Sequence, residues 1–523
     1  MGTAGETDSC GELALRLGSG QEATGSIEGA TEIPPNRLLP LLVLAATFLA
    51  YAGTLGFEFV YDDRLQIVSN SLIQSWRFVP RYFVTHVWAN IFPDEPGNYY
   101  RPLFLVWLRL NHALFGLKPL GWHVTSIAAH LGVTFLVYLL ILRTVKDRPT
   151  AIVGAMIFGL HPVHIEEVAW VSGVTEPLLA LLLLASFLCY LKYREPIRMG
   201  RGWLALSLVL YALAMLAKET ALVLPMIVCG YEWIWGRAPQ ASSTAEAVGQ
   251  RFRTAFSRGA PYLALTALYL PARAIALKGL AHAVAPRPLR TVVLTIPSLL
   301  WFYLKQLVWP VGLSAFYDTP EVTDPGFLDF FLPAVGLVGV GVFLWAGWRG
   351  VRKGAAPEWR VREARAIAFA FLWLLLPLIL VLNLSMFPET DVAHDRYLYL
   401  PSVGFSILAA LAWRRINLGR VKLFGQPAVR LGVALALACL LGIGTVTQSV
   451  YWHDDLLLYY RGLTVAPHNE IGQRNLVALM SERGQHDVVV KLCLQILRRY
   501  PNSWTVNYNL GYAYYSLGNF EEA

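Results

Sequence analysis

The sequence predicts an all-α protein in which a polytopic membrane helix bundle of about eleven spans precedes a soluble helical region. Two observations predict the membrane part: 56% of the 523 residues are hydrophobic against 15% charged, and the apolar residues fall in long blocks. A third observation predicts the soluble part, because the composition becomes more polar after residue 450. The predicted domains are therefore a membrane domain, 36–450, and a C-terminal helical region, 451–523.

The formal net charge of +8 does not indicate nucleic-acid binding. Most Lys and Arg residues stand in short clusters between apolar blocks, where they encode membrane topology. The five cysteines are scattered, and no CxxC or Cys/His spacing occurs. The sequence therefore predicts neither a disulfide framework nor a zinc site.

The N-terminal segment, 1–35, is rich in Gly, Ser, Thr and Glu. It lacks the basic start, short apolar core and cleavage site of a signal peptide. This composition predicts a disordered tail.

The membrane domain contains apolar runs that approach the roughly 20 residues needed to cross a bilayer. Eleven runs meet this description, of which the two within 203–236 are short. They are 38–56, 121–142, 150–170, 177–193, 203–217, 220–236, 258–277, 328–348, 366–386, 396–413 and 429–449.

The basic clusters between these runs predict the orientation of the bundle. If all eleven runs span, the clusters at 143–148, 192–201, 237–258, 349–362 and 414–422 share one face, which is then cytoplasmic. The N-terminal tail lies on the same face, and the other face receives most of the acidic groups. Its ionisable residues are Asp62, Asp63, Glu166, Glu167, Lys218, Glu219, Asp318, Glu389, Asp391, His394, Asp395 and Arg396.

Two further apolar blocks, 102–117 and 291–312, do not fit this count as spans. If 291–312 crossed the membrane, the basic cluster at 349–362 would move to the outer face. We therefore expect both blocks to be interfacial or re-entrant helices that cover a site at the membrane surface.

The C-terminal region contains a repeat of 34 residues. The pairs Pro467 and Pro501, Leu476 and Leu510, and Gly484 and Gly518 all show this separation, and the second copy reads NLGYAYYSLGNFEEA. This spacing and pattern indicate tetratricopeptide repeats, which form an α-solenoid. Such repeats need about three units for stability, so we expect this array to be incomplete.

Several motifs, taken in order, carry a resemblance to a known family. They are YDD from Tyr61, YRP from Tyr100, HPVHIEEVAWVSG from His161, AMLAKET at 214–220, HDRYLYLPSVGF from His394, and the terminal repeats. In these motifs the chain resembles the transmembrane and tetratricopeptide-repeat O-mannosyltransferases of the cadherin-modifying kind and their bacterial relatives. The resemblance covers nearly the whole chain. It implies a GT-C-like multispan glycosyltransferase that uses a lipid-phosphate sugar.

The resemblance implies that an acidic residue of the first outer loop is the catalytic base. Asp62 and Asp63 are both candidates, and we favour Asp63 slightly. The structural alternative is that one caps a helix and the other is solvated. Glu166 and Glu167 supply further acids: we expect one to face the site and orient the acceptor or a basic residue, and the other to end a helix at the interface.

Transfer from a lipid phosphate also requires positive charge on the departing phosphate. The candidates are Arg101, Lys218, Arg273 and Arg396, of which at least one should contact phosphate. The structural alternatives are a tight outer turn for Lys218 and headgroup anchoring for the arginines. Tyr397, close to these cations in sequence, is expected in an interfacial aromatic belt together with Tyr399.

A metal site at His161, His164, Glu166 and Glu167 is disfavoured, since Pro162 lies among them and no third ligand is near in sequence. No cofactor motif occurs, and the phosphate clamp needs no metal, although a divalent ion beside the paired aspartates stays open.

Two functions remain at this stage. The preferred one is an inverting transferase that moves mannose, or a related sugar, from a polyprenyl-phosphate carrier to Ser or Thr hydroxyls of proteins outside the cytoplasm. The repeats would bind the acceptor protein. The alternative is a non-catalytic scaffold or a transporter, which would place ionisable residues near the middle of its spans. The composition of the helices favours a bacterial cytoplasmic membrane, with the endoplasmic reticulum membrane as the alternative.

Overall fold

The structure is a computed structural model that describes residues 38–93, 95–195, 200–236, 243–319, 321–352, 357–388, 391–419 and 421–523. The predicted tail, 1–35, and Glu389 lie outside these residues. The described chain is helical apart from two paired strands of two residues each, β1 Lys422–Leu423 and β2 Gln426–Pro427.

The helices are named α1 to α19 in chain order. Those of the membrane domain are α1 Leu38–Tyr51, α2 Val79–Tyr82, α3 Pro102–Phe115, α4 Pro119–Val145, α5 Arg148–Leu160, α6 Ile165–Ala169, α7 Thr175–Tyr193, α8 Gly200–Ala217, α9 Leu224–Trp235, α10 Thr244–Leu277, α11 Leu289–Val308, α12 Leu332–Arg352, α13 Glu358–Val381, α14 Pro401–Arg414 and α15 Ala428–Ser449. Those of the C-terminal region are α16 Asp455–Val465, α17 Glu470–Glu482, α18 His486–Leu497 and α19 Trp504–Leu517.

Eight helices of the described residues are long and apolar enough to cross a membrane, which is fewer than the eleven predicted spans. They are Leu38–Gly56, Pro119–Val145, Val171–Tyr193, Gly200–Ala217, Thr244–Leu277, Leu289–Val308, Glu358–Val381 and Ala428–Trp452. The pair Arg148–Leu160 and Pro162–Ala169 passes the same test only when its two helices, bent by 49°, are taken together, as a broken span or a re-entrant loop. The bend falls at Pro162, which has no backbone N–H to continue the helix.

The difference in count comes from short helices. The predicted runs 220–236 and 396–413 form α9 and α14, of only 12 and 14 residues. An α-helix rises 1.5 Å per residue, so helices of 12 and 14 residues cannot span roughly 30 Å of hydrocarbon on their own. The run 328–348 lies largely in α12, Leu332–Arg352, where the apolar helix found among the described residues is Phe327–Val342.

Helix α11, predicted to be interfacial or re-entrant, has the length and composition of a span and is held by contacts at both ends. Near its first turn, Arg287 Nη1 donates to the carbonyl oxygens of Leu384 and Phe387, just after α13. Near its last turn, the carbonyl oxygen of Leu307 lies 2.9 Å from Nε2 of His161, just after α5. The first partner follows α13, and the second lies at the bend between α5 and α6, so the interfacial placement of this block stays a prediction.

The core of the bundle is an apolar cluster shared by α4, α7, α8, α9, α13 and α14. Helices α13 and α14 approach each other closely at Gly404. A Cβ atom there would lie 2.2 Å from the carbonyl oxygen of Ala370, so only glycine fits at this crossing. This packing fixes both ends of the segment 382–400, which connects α13 to α14.

In the C-terminal region, α17, α18 and α19 pack together around Val477, Val489 and Val506. The turns after α17 and α19 contain Gly484 and Gly518, which are 34 positions apart. Both have positive φ, +70° and +82°, a conformation that glycine adopts without strain. The spacing found in the sequence therefore corresponds to a repeated helix-ending turn.

Candidate active site

A cavity of about 300 Å³ lies at the end of the bundle opposite the basic clusters. It is formed by the loop after α1, the segment before α3, and the ends of α8, α10 and α13. Its ionisable lining residues among those described are Asp62, Arg101, Lys218, Glu219, Arg273 and Arg396. Its aromatic lining residues are Trp88, Tyr99, Phe104, Trp170, Phe387 and Tyr397.

The cavity brings together five of the eight residues that the sequence analysis selected. Asp62 and all four candidate phosphate ligands line it, although they come from five separate segments of the chain. The other three selected residues, Asp63, Glu166 and Glu167, lie behind its walls.

Asp62 is half-buried at the cavity, in the turn that leads into the short helix Arg64–Val68. Its backbone carbonyl caps that helix by accepting from the N–H of Gln66 at 2.7 Å, while its carboxylate has no hydrogen bond to any described residue. Burial raises the pKa of Asp62 to about 7, against the opposing effect of nearby Arg396. A carboxyl group with this pKa exchanges its proton near neutral pH, as a general base requires.

Asp63 is fully buried and faces away from the cavity. Its Oδ1 accepts hydrogen bonds from the backbone N–H and the hydroxyl of Ser172, at 2.8 and 2.5 Å. Its Oδ2 accepts from the backbone N–H of Val60 at 3.3 Å. Asp63 thus ties the first outer loop to the segment before α7, and the preference for Asp63 over Asp62 has no support in this geometry.

Glu166 holds Arg396 in place. Its Oε1 pairs with Nη1 of Arg396, and its Oε2 accepts from the backbone N–H of the same residue at 3.0 Å. The Glu166 side chain is buried and the Arg396 guanidinium is partly exposed towards the cavity, above the rings of Trp170 and Tyr397. The expectation that one of the two glutamates orients a basic residue therefore agrees with the position of Glu166.

Glu167 does not end a helix at the interface, as the sequence analysis expected. Its side chain is fully buried, and neither carboxyl oxygen has a hydrogen-bond partner among the described residues. The cause is local geometry: α6 is a five-residue helix in which two consecutive side chains must point in different directions. Glu166 turns towards the loop of Arg396, and Glu167 turns into the bundle.

Arg101 and Glu219 form a two-pronged ion pair at the rim of the cavity. The Nη2 and Nε atoms of Arg101 lie 2.6 and 3.2 Å from the two carboxylate oxygens of Glu219. Burial raises the pKa of Glu219, but Arg101, Lys218 and Arg273 outweigh it and lower this pKa to about 2. Glu219 is therefore ionised and keeps Arg101 in one orientation.

Lys218 does not occupy a solvated turn, which was its structural alternative. Its ammonium group is buried and pairs with Glu176, in the first turn of α7. Lys218 also lies 5.7 Å from the centre of the Tyr397 ring. Because a buried acid neutralises it, Lys218 adds less to the positive charge of the cavity than a free lysine would.

Arg273, in the last turns of α10, is held by two backbone carbonyl groups. Its Nη2 donates to the carbonyl oxygen of Asn98 at 2.9 Å, and its Nε donates to that of Leu280 at 3.3 Å. Its Nη1 is buried and has no partner among the described residues. Arg273 thus lines the cavity with a charged guanidinium, while its Nη1 is enclosed by protein on the side of Tyr269.

The two tyrosines of the predicted aromatic belt separate. Tyr397 lines the cavity, whereas Tyr399 is fully buried and its hydroxyl lies 2.8 Å from Nδ1 of His130.

His161, one of the disfavoured metal ligands, contacts the carbonyl oxygen of Leu307 through Nε2 and accepts a hydrogen bond from the N–H of Val163 through Nδ1. Within the described residues, no group of three or more His, Cys, Asp or Glu side chains is arranged to hold a metal ion.

Sequence reasoning missed three residues that hold the site together: Ser172, Glu176 and Asp455. Ser172 binds Asp63, Glu176 pairs with Lys218, and Asp455 binds the residues on either side of the aspartate pair. A signal for Glu176 was present, since it is an acid at the outer end of an apolar run. Asp455 carried no such signal, because it lies in the C-terminal region.

Comparison with known proteins gives one family model and several curated relatives. The model described as dolichyl-phosphate-mannose-protein mannosyltransferase matches residues 105–269. Protein O-mannosyl-transferase TMTC3 of Mus musculus is 25% identical over 513 residues, which cover 92% of this chain and 53% of the relative. Protein O-mannosyl-transferase Tmtc1 of Drosophila melanogaster is 25% identical over 561 residues, which cover 89% of this chain and 62% of the relative.

The chain thus spans between about half and three fifths of the length of these relatives. Among solved structures, ArnT from Cupriavidus metallidurans in the apo state matches with a TM-score of 0.42 and 14% identity, over 92% of this chain and 75% of that one. The chain is an integral multi-pass membrane protein, and the relatives confirm that it resembles the transmembrane and tetratricopeptide-repeat O-mannosyltransferases.

Proposed function

We propose that this protein is an inverting glycosyltransferase that moves mannose, or a related sugar, from a polyprenyl-phosphate carrier to Ser or Thr hydroxyls of proteins. The observation that carries the proposal is the meeting of one available carboxylate, Asp62, with four cationic side chains in a single cavity. Transfer from a lipid phosphate requires a base and a phosphate clamp close together.

In this proposal Asp62, and not Asp63, is the base. Its carboxylate takes the proton of the acceptor hydroxyl while the hydroxyl oxygen attacks C1 of the sugar. The bond between C1 and the phosphate oxygen breaks, and its electron pair leaves with the phosphate. Attack from the side opposite the phosphate inverts the configuration at C1.

The departing phosphate gains negative charge, which the cations of the cavity stabilise. Arg273 contributes its positive charge in the wall of the cavity, and Arg396 contributes the part of its guanidinium not engaged by Glu166. Arg101 stands at the rim, held by Glu219. Lys218, already paired with Glu176, shapes the electrostatics of the cavity and is the weakest candidate for direct contact.

The cavity lies at the end of the bundle opposite the basic clusters, which supports a site on the non-cytoplasmic face. The acceptor protein then approaches from outside the cytoplasm, where we propose that the tetratricopeptide repeats bind it. A bacterial cytoplasmic membrane, favoured by helix composition, and the endoplasmic reticulum membrane both provide such a face. No metal takes part in this scheme.

The test is transfer of radiolabelled mannose from polyprenyl-phosphate mannose to membrane protein, in membranes that contain wild type, Asp62→Asn or Asp63→Asn at matched levels. Removal of a general base lowers the reaction rate roughly 10²- to 10⁴-fold. We therefore expect Asp62→Asn to transfer mannose at least about a hundredfold more slowly than wild type. Asp63→Asn is the matched control, because asparagine still accepts the hydrogen bonds from Ser172.

Equal rates in wild type and Asp62→Asn would overturn the assignment of the base. Absence of transfer by wild type from both mannose and glucose carriers, with the protein folded and inserted, would overturn the enzymatic function itself.

A further inference from the structure

A second and larger cavity, of about 790 Å³, lies at the other end of the same bundle. Helix α7 connects the two: Thr175 lines the candidate active site and Lys192 lines the second cavity. The 17 intervening steps of 1.5 Å separate them by about 26 Å along the helix. The second cavity is therefore distinct from the proposed site of transfer and lies on the face of the basic clusters.

The walls of this cavity are apolar and the rim is basic. Leucines from two helices form the inner wall, namely Leu139, Leu142, Leu188 and Leu191. Three aromatic side chains, Trp203, Tyr231 and Trp235, stand near the ends of α8 and α9. Such residues mark the depth of lipid headgroups in membrane proteins.

Six basic and two acidic side chains of the described residues line the cavity. The basic ones are Arg143, Lys146, Lys192, Arg194, Arg362 and Arg365, and the acidic ones are Glu195 and Glu358.

Most of these charges are already paired. Glu195 pairs with Arg143 and, at 3.2 Å, with Lys192. Glu358 pairs with Arg362 at 2.7 Å. Arg194 pairs with Glu232 at 2.6 Å.

Two cations of the rim remain without a partner. The side chains of Lys146, just after α4, and Arg365, in the second turn of α13, make no ion pair or hydrogen bond to any described residue. They face the same cavity from two different helices. Their charge is therefore available to an anion bound there.

We propose that this cavity binds an anionic phospholipid of the cytoplasmic leaflet. The headgroup phosphate lies between Lys146 and Arg365, and the acyl chains run along the leucine wall between α4 and α7. A free phosphate ion would leave that wall without an occupant, whereas a zwitterionic lipid would leave the two cations uncompensated. Basic pockets between helices on this side of a membrane suit anionic headgroups.

The experiment measures thermal unfolding of the purified full chain in detergent, with phosphatidylglycerol, phosphatidylcholine or inorganic phosphate added. We expect phosphatidylglycerol to raise the melting temperature more than either of the others. In the double variant Lys146→Gln/Arg365→Gln the apparent affinity for phosphatidylglycerol should fall about thirtyfold, since each basic residue near an anionic lipid strengthens binding. Arg253→Gln, an exposed arginine of α10 outside the cavity, is the control and should keep the wild-type affinity.

A second measurement does not depend on the variants being stable. Photoactivatable phosphatidylglycerol is crosslinked to wild type, and the labelled peptides are identified. Labels within 139–146, 188–195 or 358–365 support the proposal. Equal stabilisation by the three additives, an equal loss of affinity in Arg253→Gln, or labels spread evenly around the bundle would each overturn it.

Discussion

Asp455, the first residue of α16, accepts a hydrogen bond at 2.8 Å from the backbone N–H of Tyr61, which lies 394 positions earlier in the chain. The other carboxylate oxygen of Asp455 pairs with Arg64. Asp62 is thus held from both sides by one residue of the C-terminal region. Tyr61 has a backbone φ of +56°, which is unfavourable for residues other than glycine. The contacts with Asp455 therefore help to maintain this turn.

We expect Asp455→Ala to lower kcat by about 10- to 100-fold, because a displacement of about 1 Å in a reacting group has effects of this size. The Michaelis constant for the lipid-linked donor should stay within about twofold, since the phosphate-binding cations are untouched. Steady-state transfer at varied donor concentration measures both constants. Asp487→Ala, an exposed acid in the first turn of α18, is the control. A rise in the Michaelis constant with unchanged kcat would contradict a positioning role for Asp455.

The pH dependence of transfer should report the protonation of Asp62. Burial raises the pKa of Asp62 to about 7, and the deprotonated carboxylate is the form that accepts a proton. We therefore expect kcat/KM to rise as pH increases through about 7 and to level off above it. Arg396 opposes the rise in pKa, so Arg396→Gln should move the midpoint to higher pH as well as slow the reaction. A midpoint near the ordinary pKa of an aspartate, about 4, would contradict the raised pKa of the base.

The paired aspartates show what the sequence was able to predict and where it stopped. Their place after the first span and next to aromatic residues marked them as candidates for chemistry. Adjacency in sequence does not reveal which of two side chains faces a cavity, since that depends on the backbone of the turn. Here the turn directs Asp63 to Ser172, on a segment more than 100 residues away, and leaves Asp62 at the cavity.

The sequence could predict that the four cations lie together, because the predicted orientation of the spans places all four at the same face of the membrane. The sequence could not predict which of them is free to bind a phosphate, because that depends on acidic partners from other segments. Glu219 and Glu176 pair with Arg101 and Lys218, whereas Arg273 keeps an unpartnered Nη1. Fewer helices of the described residues than predicted are long enough to span a membrane, because α9 and α14 are apolar but short, and tertiary packing decides where such helices end.

Arg273 should contribute to binding of the donor phosphate through its charge in the wall of the cavity. A hydrogen bond to a charged group contributes about 1.5–3 kcal/mol, so we expect Arg273→Gln to raise the Michaelis constant for the donor roughly tenfold to a hundredfold. Arg273→Lys should have an intermediate effect, since lysine keeps the charge but loses the forked geometry.

The matched control for Arg273 is Arg290→Gln, in the first turn of α11. Arg290 forms an exposed pair with Asp324 at 2.9 Å, and such pairs contribute little to stability or binding. Kinetics with polyprenyl-phosphate mannose measure the effect, and thermal unfolding excludes a loss of folded protein. If Arg273→Gln and Arg290→Gln have equal Michaelis constants, Arg273 serves only to hold the Asn98 loop.

The pair of Glu166 and Arg396 should contribute to stability as well as to transfer. Removing one partner of a buried pair leaves an uncompensated charge, which costs about 3–5 kcal/mol. Glu166→Gln leaves Arg396 unpaired, but that arginine is partly exposed to the cavity, so the loss in free energy of unfolding should be smaller than this range. Arg396→Gln leaves the buried carboxylate unpaired, so its loss should be larger than that of Glu166→Gln. The double variant Glu166→Gln/Arg396→Gln should recover part of the loss, with a coupling free energy of about 1–3 kcal/mol between the two positions. Unfolding of the four proteins in one detergent completes the cycle. Strictly additive effects would mean that the two groups stabilise the protein independently, and that Glu166 does not act by holding Arg396 at the cavity.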